Sequence, residues 1–103
     1  MSTAIIFGAG GQDGYYLTEL LQEQQYEIIG ISRRENYLFV DISDYESVKN
    51  LIAKYQPAFV FHLAANSTTR HDALFENHAT ISTGTINILE AVKNVSPNSK
   101  VFI

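Results

Sequence analysis

Short apolar runs rich in β-branched and aromatic residues alternate along this sequence with longer segments whose apolar residues recur at helical spacing. Near-continuous apolar runs are typical of strands buried on both faces of a parallel sheet, and their alternation with helices indicates βαβ units. The sequence therefore predicts an α/β fold. The predicted strands are Thr3–Phe7, Glu27–Ser32, Tyr37–Val40, Ala58–Leu63 and Lys100–Ile103.

Three helices are predicted between these strands. The first runs from about Gln12 to Gln24, directly after a turn rich in glycine. The second begins at Ser43, because Ser43 and Glu46 have the spacing of a capping box, and it ends before Pro57. The third runs from about Thr80 to Val95.

The connection between the second and third strands is too short for a helix, since it consists of Arg33–Asn36. Either these two strands pair antiparallel, or Tyr37–Val40 is a short edge strand reached by an extended loop, and we favour the edge strand. Numbered along the chain, the strands then take the order 3-2-1-4-5, which is half of a doubly wound sheet. We expect a Rossmann-like, truncated parallel sheet of about five strands with three helices, forming one domain over residues 1–103.

Composition excludes several classes of function. The net charge of −4 argues against a broad electrostatic surface for nucleic acid or anionic membrane, so we expect neither as a partner. The chain has no cysteine, which removes disulfides, thiol catalysis and cysteine-ligated metals. It contains neither a signal-like start nor an apolar stretch of about 18 residues, and we expect a soluble cytoplasmic protein.

The glycine-rich turn between the first strand and the first helix predicts a dinucleotide site. Glycines there permit a tight turn, let the backbone approach a pyrophosphate and let the helix pack closely on the strand. The helix N-terminus adds N–H groups and a partial positive charge. The spacing G-x-G-x-x-G fails at Asp13, whereas G-x-x-G-x-x-G is met by Gly8, Gly11 and Gly14. No Lys-Ser or Lys-Thr follows, which excludes a nucleoside-triphosphate P-loop.

Further motifs follow the glycine turn in order, namely Arg33-Arg34, Asp41-Ile42, Leu63–Ser67 and Gly84–Ala91. Together they resemble the extended short-chain dehydrogenase/reductase family of NAD(P)-dependent epimerases and dehydratases. The run Gly-Gln-Asp-Gly at residues 11–14, followed by two arginines, is most similar to that of nucleotide-sugar dehydratases. The resemblance covers the whole chain.

The position about 20 residues beyond the glycine turn bears on the choice of cofactor. An Asp or Glu there would indicate NAD, but this chain has Ser32, Arg33 and Arg34. Since an arginine holds a 2′-phosphate in fork geometry, the sequence favours NADP. Glu35 could contact a ribose instead, which leaves NAD as the alternative, and the arginines could also be a solvated surface pair.

The resemblance implies roles for the other motifs. Asp41 would accept a hydrogen bond from the adenine amino group and Ile42 would pack on the ring, although Asp41 could also help to cap the next helix. The residues from Leu63 to Ser67 would pass beside the ribose and phosphates. The predicted cofactor-binding residues are therefore Gly8, Gly11, Gln12, Asp13, Gly14, Arg33, Arg34, Asp41, Ile42, Leu63, Ala64, Ala65 and Ser67.

Catalysis, as the resemblance implies, rests on a Ser or Thr just after the fifth strand and on a Tyr-x-x-x-Lys pair further on. Because Lys100–Ile103 is the fifth predicted strand, we expect no catalytic residue in this chain and no activity of the chain alone. We interpret His62 as a core histidine and expect no metal site. A nucleotide-sugar substrate would bind only to the complete protein.

The sequence thus predicts the NADP-binding N-terminal part of a nucleotide-sugar dehydratase. The alternatives are part of an NAD-dependent nucleotide-sugar epimerase or reductase, and a non-catalytic NADP-sensing regulator. Apolar residues near Phe102 and on more than one face of the third helix also predict a homodimer or larger assembly.

Overall fold

The structure is a computed structural model that describes residues 2–32, 37–63 and 74–103, and the side chains of residues 74–82 lie outside this description. Strands and helices alternate along the described chain as predicted. They are β1 (Thr3–Phe7), α1 (Gln12–Glu23), β2 (Glu27–Ile31), α2 (Tyr45–Tyr55), β3 (Phe59–His62), α3 (Leu74–Val95) and β4 (Lys100–Phe102).

The four strands form one parallel sheet in the order β2-β1-β3-β4. Strand β1 lies at the centre, where Ala4 pairs with Ile28 on one side and with Phe59 on the other. From Ala4 to Phe7 its side chains are buried, because helices cover both faces of the sheet at this strand. This arrangement confirms the predicted Rossmann-like, parallel α/β fold.

The third predicted strand, Tyr37–Val40, is not a strand in the described structure. It meets the sheet at one parallel bridge between Ile31 and Leu38, where Ser32 N donates to Leu38 O at 3.0 Å. The run therefore lies at the predicted edge, and the antiparallel alternative is wrong. Tyr37, Leu38 and Phe39 are 40–59% exposed, so little apolar burial stabilises a longer ladder there.

The two faces of the sheet have separate cores. On one face, α2 and α3 pack on alternate residues of the strands through buried side chains that include Val48, Ile52 and Ile88. On the other face, α1 packs through Leu17 and Leu21, which lie against Ala4 and Ile6. The amphipathic helices therefore cover the sheet in two layers, and none of the described helices is long and apolar enough to cross a membrane.

The start of α2 differs from the predicted capping box. The N-cap residue is Asp44 and makes no side-chain capping bond, while Ser43 donates from N and Oγ to Asp41 Oδ1 at 3.0 and 2.6 Å. Asp41 thus shapes the turn before the helix by accepting both hydrogen bonds from Ser43.

At the end of α2, Gln56 has a left-handed backbone and its Nε2 donates to Val95 O at 2.7 Å, which ties the ends of α2 and α3 together. Helix α3 begins six residues earlier than predicted, at Leu74.

Candidate functional site

The glycine turn joins the carboxyl end of β1 to α1 and is fastened to β2. Gly8 has φ 88°, a left-handed backbone that glycine adopts without steric cost. The N–H groups of Gly8 and Ala9 both donate to Ile31 O, at 2.8 and 3.0 Å. The turn is therefore held at the carboxyl edge of the sheet, where open α/β sheets bind ligands.

Gly14 lets α1 approach the turn closely. A Cβ atom at Gly14 would lie 2.5 Å from the carbonyl oxygen of Ala9 and 2.6 Å from its Cα. Both glycine and alanine are buried. The role predicted for the last glycine, close packing of the helix, is thus seen in the geometry.

The N-terminus of α1 presents N–H groups beside open space. Gly11 is the N-cap with extended backbone, and the first bond of the helix is from Tyr15 N to Gly11 O at 3.0 Å. The N–H groups of Gln12, Asp13 and Gly14 precede that bond, and no side chain of the described residues caps this end. A Cβ at Gly11 would meet nothing nearer than Gly8 O at 3.8 Å. This end of α1 therefore offers N–H groups without helical partners and the positive end of the helix dipole to an anion.

Two exposed side chains flank this end of the helix. Tyr15 donates its hydroxyl to Glu19 Oε1 at 3.0 Å, one helical turn later. That hydrogen bond, together with the negative charge of Glu19, raises the pKa of Tyr15. Asp13 is exposed in the first turn, where its negative charge interacts favourably with the positive end of the helix dipole.

The Asp41–Ile42 turn lies at the same edge of the sheet, before α2. Asp41 is exposed and its Oδ1 accepts both bonds from Ser43. These two bonds orient the Asp41 carboxylate within the turn. Ile42 is half-buried and its carbonyl oxygen accepts a bond from Asn87 Nδ2 at 2.9 Å. The bonds from Ser43 to Asp41 lie in the turn before the N-cap residue Asp44, and the adenine role predicted for Asp41 stays a prediction.

Tyr37 is a site neighbour that the sequence did not point out. A Cβ atom at Gly30 would lie 3.1 Å from Tyr37 Cδ1 and 3.1 Å from Ala9 Cβ. The Tyr37 ring therefore lies over the end of β2 beside the glycine turn. A glycine within a strand marks close approach of another group, and Gly30 was the available signal.

Arg33, Arg34, Ala64, Ala65 and Ser67 lie outside the described residues, so their predicted roles stay predictions. Leu63 is half-buried and packs on the α1 side of the sheet, directly after β3. His62 is fully buried with its ring edge-on to Phe7 at 6.3 Å, as expected of a core histidine. In the described part of the chain, no group of three or more His, Asp or Glu residues could hold a metal ion.

One Tyr-x-x-x-Lys spacing does occur in this chain, at Tyr45 and Lys49 in α2. The Tyr45 ring packs on the core beneath α2 and α3, and its hydroxyl accepts a bond from Asn94 Nδ2 at 2.8 Å. Asn94 belongs to the last turn of α3. This turn lies near the amino end of β3, since Val95 O accepts a bond from Gln56, which lies three residues before β3. The Tyr45 hydroxyl therefore serves packing, away from the carboxyl edge that holds the glycine turn.

Comparison with known proteins adds to this geometry. Residues 4–103 match the model of the NAD dependent epimerase/dehydratase family. GDP-mannose 4,6 dehydratase 1 of Arabidopsis thaliana is 30% identical over 116 residues, covering 88% of this chain and 32% of that protein. CDP-glucose 4,6-dehydratase of Salmonella typhimurium is 33% identical over 84 residues, covering 80% of this chain and 23% of that protein.

A solved structure has the same fold. The Bordetella bronchiseptica enzyme WbmH, crystallised in complex with NAD+, superposes with a TM-score of 0.73 and is 32% identical, covering 92% of this chain and 36% of that one. The chain thus spans about a third of the length, or less, of the relatives it matches here.

Proposed function

Because the chain belongs to the NAD dependent epimerase/dehydratase family, we propose that it is the dinucleotide-binding N-terminal part of a cytoplasmic nucleotide-sugar dehydratase similar to GDP-mannose 4,6-dehydratase. The observation that carries the proposal is the uncapped N-terminus of α1 behind the turn from Gly8 to Gly14. The proposed cofactor is NADP.

The phosphates of the dinucleotide would lie over the start of α1. There the N–H groups of Gln12, Asp13 and Gly14 have no helical carbonyl to bond, and the backbone at Gly11 leaves room for close approach. Since the chain as a whole carries a net charge of −4, the attraction for the phosphates must come from this local geometry.

The adenosine end would lie between the glycine turn and the Asp41–Ile42 turn. Asp41 would accept a hydrogen bond from the adenine amino group while Ile42, half-buried, would offer one apolar wall to the ring. The preference for NADP over NAD would come from Arg33 and Arg34, which follow Ser32 at the end of β2 and can hold a 2′-phosphate.

The nicotinamide ring, when bound, supplies a hydride acceptor for a sugar hydroxyl and returns the hydride later in the reaction. The part proposed for this chain is to bind and orient the cofactor at its adenosine and phosphate end. Tyr45 and Lys49 take no part in proton transfer, because the Tyr45 hydroxyl is bonded to Asn94 and lies away from the carboxyl edge of the sheet. We expect the purified 103-residue chain to show no turnover of GDP-mannose with NADP.

Self-association is also part of the proposal. Four apolar side chains on α3, on β4 and directly after β4 are 46–60% exposed, namely Ile86, Leu89, Phe102 and Ile103. Burying them between two copies would remove apolar surface from water, at about 25 cal/mol per Å². Sedimentation at micromolar concentration should show a dimer or larger species, and a strictly monomeric chain would contradict this part.

Calorimetric titration tests the cofactor assignment. NADP should bind more tightly than NAD, and the double variant Arg33→Ala/Arg34→Ala should bind both equally. The control is Lys54→Ala, which removes a positive charge from the last turn of α2 and should keep the preference for NADP. Binding of neither dinucleotide would refute the function, whereas a double variant that still prefers NADP would refute the 2′-phosphate assignment alone.

A further inference from the structure

We propose that Asn87 and Gly84 of α3 are positioning residues that clamp the Asp41–Ile42 turn and thereby set the selectivity of the site for adenine. The inference rests on the proposed dinucleotide function and adds to it two residues that do not themselves contact the nucleotide.

The clamp holds Ile42 at two points. Asn87 Nδ2 donates to the Ile42 carbonyl oxygen at 2.9 Å, across 45 positions of sequence. One turn earlier on α3, a Cβ atom at Gly84 would lie 2.8 Å from Ile42 Cγ1 and 3.1 Å from Ile42 Cβ. The Ile42 side chain thus occupies the space that the missing Cβ of Gly84 leaves, while its carbonyl is held by Asn87.

The bonds within the turn fix its shape but not its place on the sheet. Asp41 accepts from Ser43, and Asp44 N donates to Asp41 O at 3.0 Å, so these contacts move with the turn. The run before the turn meets the sheet at the bridge of Leu38 with Ile31. The Ile42 side chain also packs on the core, but apolar packing is non-directional and does not fix the orientation of the turn. The bond from Asn87 Nδ2 to Ile42 O is a directional tie between the turn and the layer of helices.

Position matters here because a hydrogen bond weakens steeply when its distance or angle changes. If Asp41 accepts from the adenine amino group, a shift of the turn of about 1 Å removes much of that bond while leaving the phosphates on α1 unaffected. Loss of the clamp should therefore act on the distinction between bases more than on binding as a whole.

Calorimetry on the full 103-residue chain tests this with NADP and its hypoxanthine analogue, in which a carbonyl replaces the adenine amino group. The wild type should bind NADP at least fivefold more tightly than the analogue, the size expected for one hydrogen bond to a carboxylate. Asn87→Leu should lower that ratio to below twofold. The matched control is Asn94→Leu, which removes the bond from α3 to Tyr45 and should keep the wild-type ratio.

A merely structural defect in Asn87→Leu would lower the affinity for both nucleotides by the same factor and leave their ratio unchanged. That result would overturn the inference, while the proposed function would stand. A wild type that binds both nucleotides equally also overturns it. Asn87→Asp, which replaces the donor by an acceptor of nearly the same shape, should behave like Asn87→Leu and provides the measurement if the leucine variant fails to fold.

A wild type that binds neither nucleotide refutes the proposed function, and amide hydrogen exchange then tests the clamp separately. Exchange at the N–H groups of Ser43 and Asp44 should be at least fivefold faster in Asn87→Leu than in the wild type, and unchanged in Asn94→Leu. Equal exchange in the wild type and Asn87→Leu would show that Asn87 does not hold the turn.

Discussion

Gly14→Ala is the substitution that most directly tests the close approach of α1 to the glycine turn. The new Cβ would lie 2.5, 2.6 and 2.7 Å from the O, Cα and C atoms of Ala9. Ordinary contact begins at about 3.4 Å, so α1 or the turn must shift by about 0.9 Å. These neighbours are backbone atoms and cannot rotate away as the end of a side chain could.

The magnitude follows from two opposing effects. Overpacking of this kind costs about 1–3 kcal/mol, and the upper end applies because three backbone atoms are in contact. Alanine in place of glycine within a helix stabilises by about 1 kcal/mol. We therefore expect Gly14→Ala to lower the free energy of unfolding by about 2 kcal/mol.

Urea unfolding followed by circular dichroism measures this difference. With an m-value of about 1.5 kcal/mol/M, the midpoint should fall by about 1.3 M at unchanged m. The control is Gly11→Ala, whose Cβ would have no neighbour nearer than 3.8 Å. Because alanine is a poorer N-cap residue than glycine, this variant should lose up to about 1 kcal/mol, clearly less than Gly14→Ala. A Gly14→Ala midpoint equal to the wild type would refute the argument that glycine is required by the approach to Ala9.

Three further predictions concern the helices. Gly11→Ser should stabilise the free chain by a few tenths of a kcal/mol in urea unfolding, since serine is a better N-cap residue than glycine. The same variant should bind NADP at least fivefold more weakly in calorimetry, because the serine hydroxyl would bond to the N–H groups proposed for the phosphates. Glu19→Gln should lower the pKa of Tyr15, which is measured from phenolate absorbance with Tyr15→Phe as the reference. Because Glu19 raises that pKa above its usual 10.0, the Tyr15–Glu19 pair contributes to stability below pH 10. This contribution is lost as the pH rises from 10 through the raised pKa. Ile52→Ala should cost about 2–5 kcal/mol in urea unfolding because Ile52 is fully buried, whereas Leu20→Ala, at a position 51% exposed, should cost less than about 0.5 kcal/mol.

Local patterns in the sequence predicted the elements whose stability comes from local apolar periodicity. The buried strands β1 and β3 had to be apolar on both faces, so their places were readable, and the glycine turn was readable because Gly8 and Gly14 meet steric demands. The family assignment from the ordered motifs is likewise confirmed.

The features that sequence reasoning missed depend on contacts between distant or competing groups. Ser43 and Asp44 are both good N-cap residues, and the choice falls on Asp44 because Asp41 engages Ser43. The contact of Asn87 with Ile42 joins residues 45 positions apart, and no spacing in the sequence predicts it. The run Tyr37–Val40 has the composition of a strand, but the side chains of Tyr37, Leu38 and Phe39 are exposed.

The central place of β1 has a consequence for the nascent chain. Ala4 pairs with Ile28, 24 positions later, and with Phe59, 55 positions later. At a synthesis rate of about 5–20 residues per second, β1 would wait about 3–11 s for its second partner. During that time the residues from Ala4 to Phe7, all buried in the folded chain, form an exposed apolar segment able to pair with another chain. The strand at the centre of the sheet therefore stays open to pairing with another chain until β3 has been synthesised.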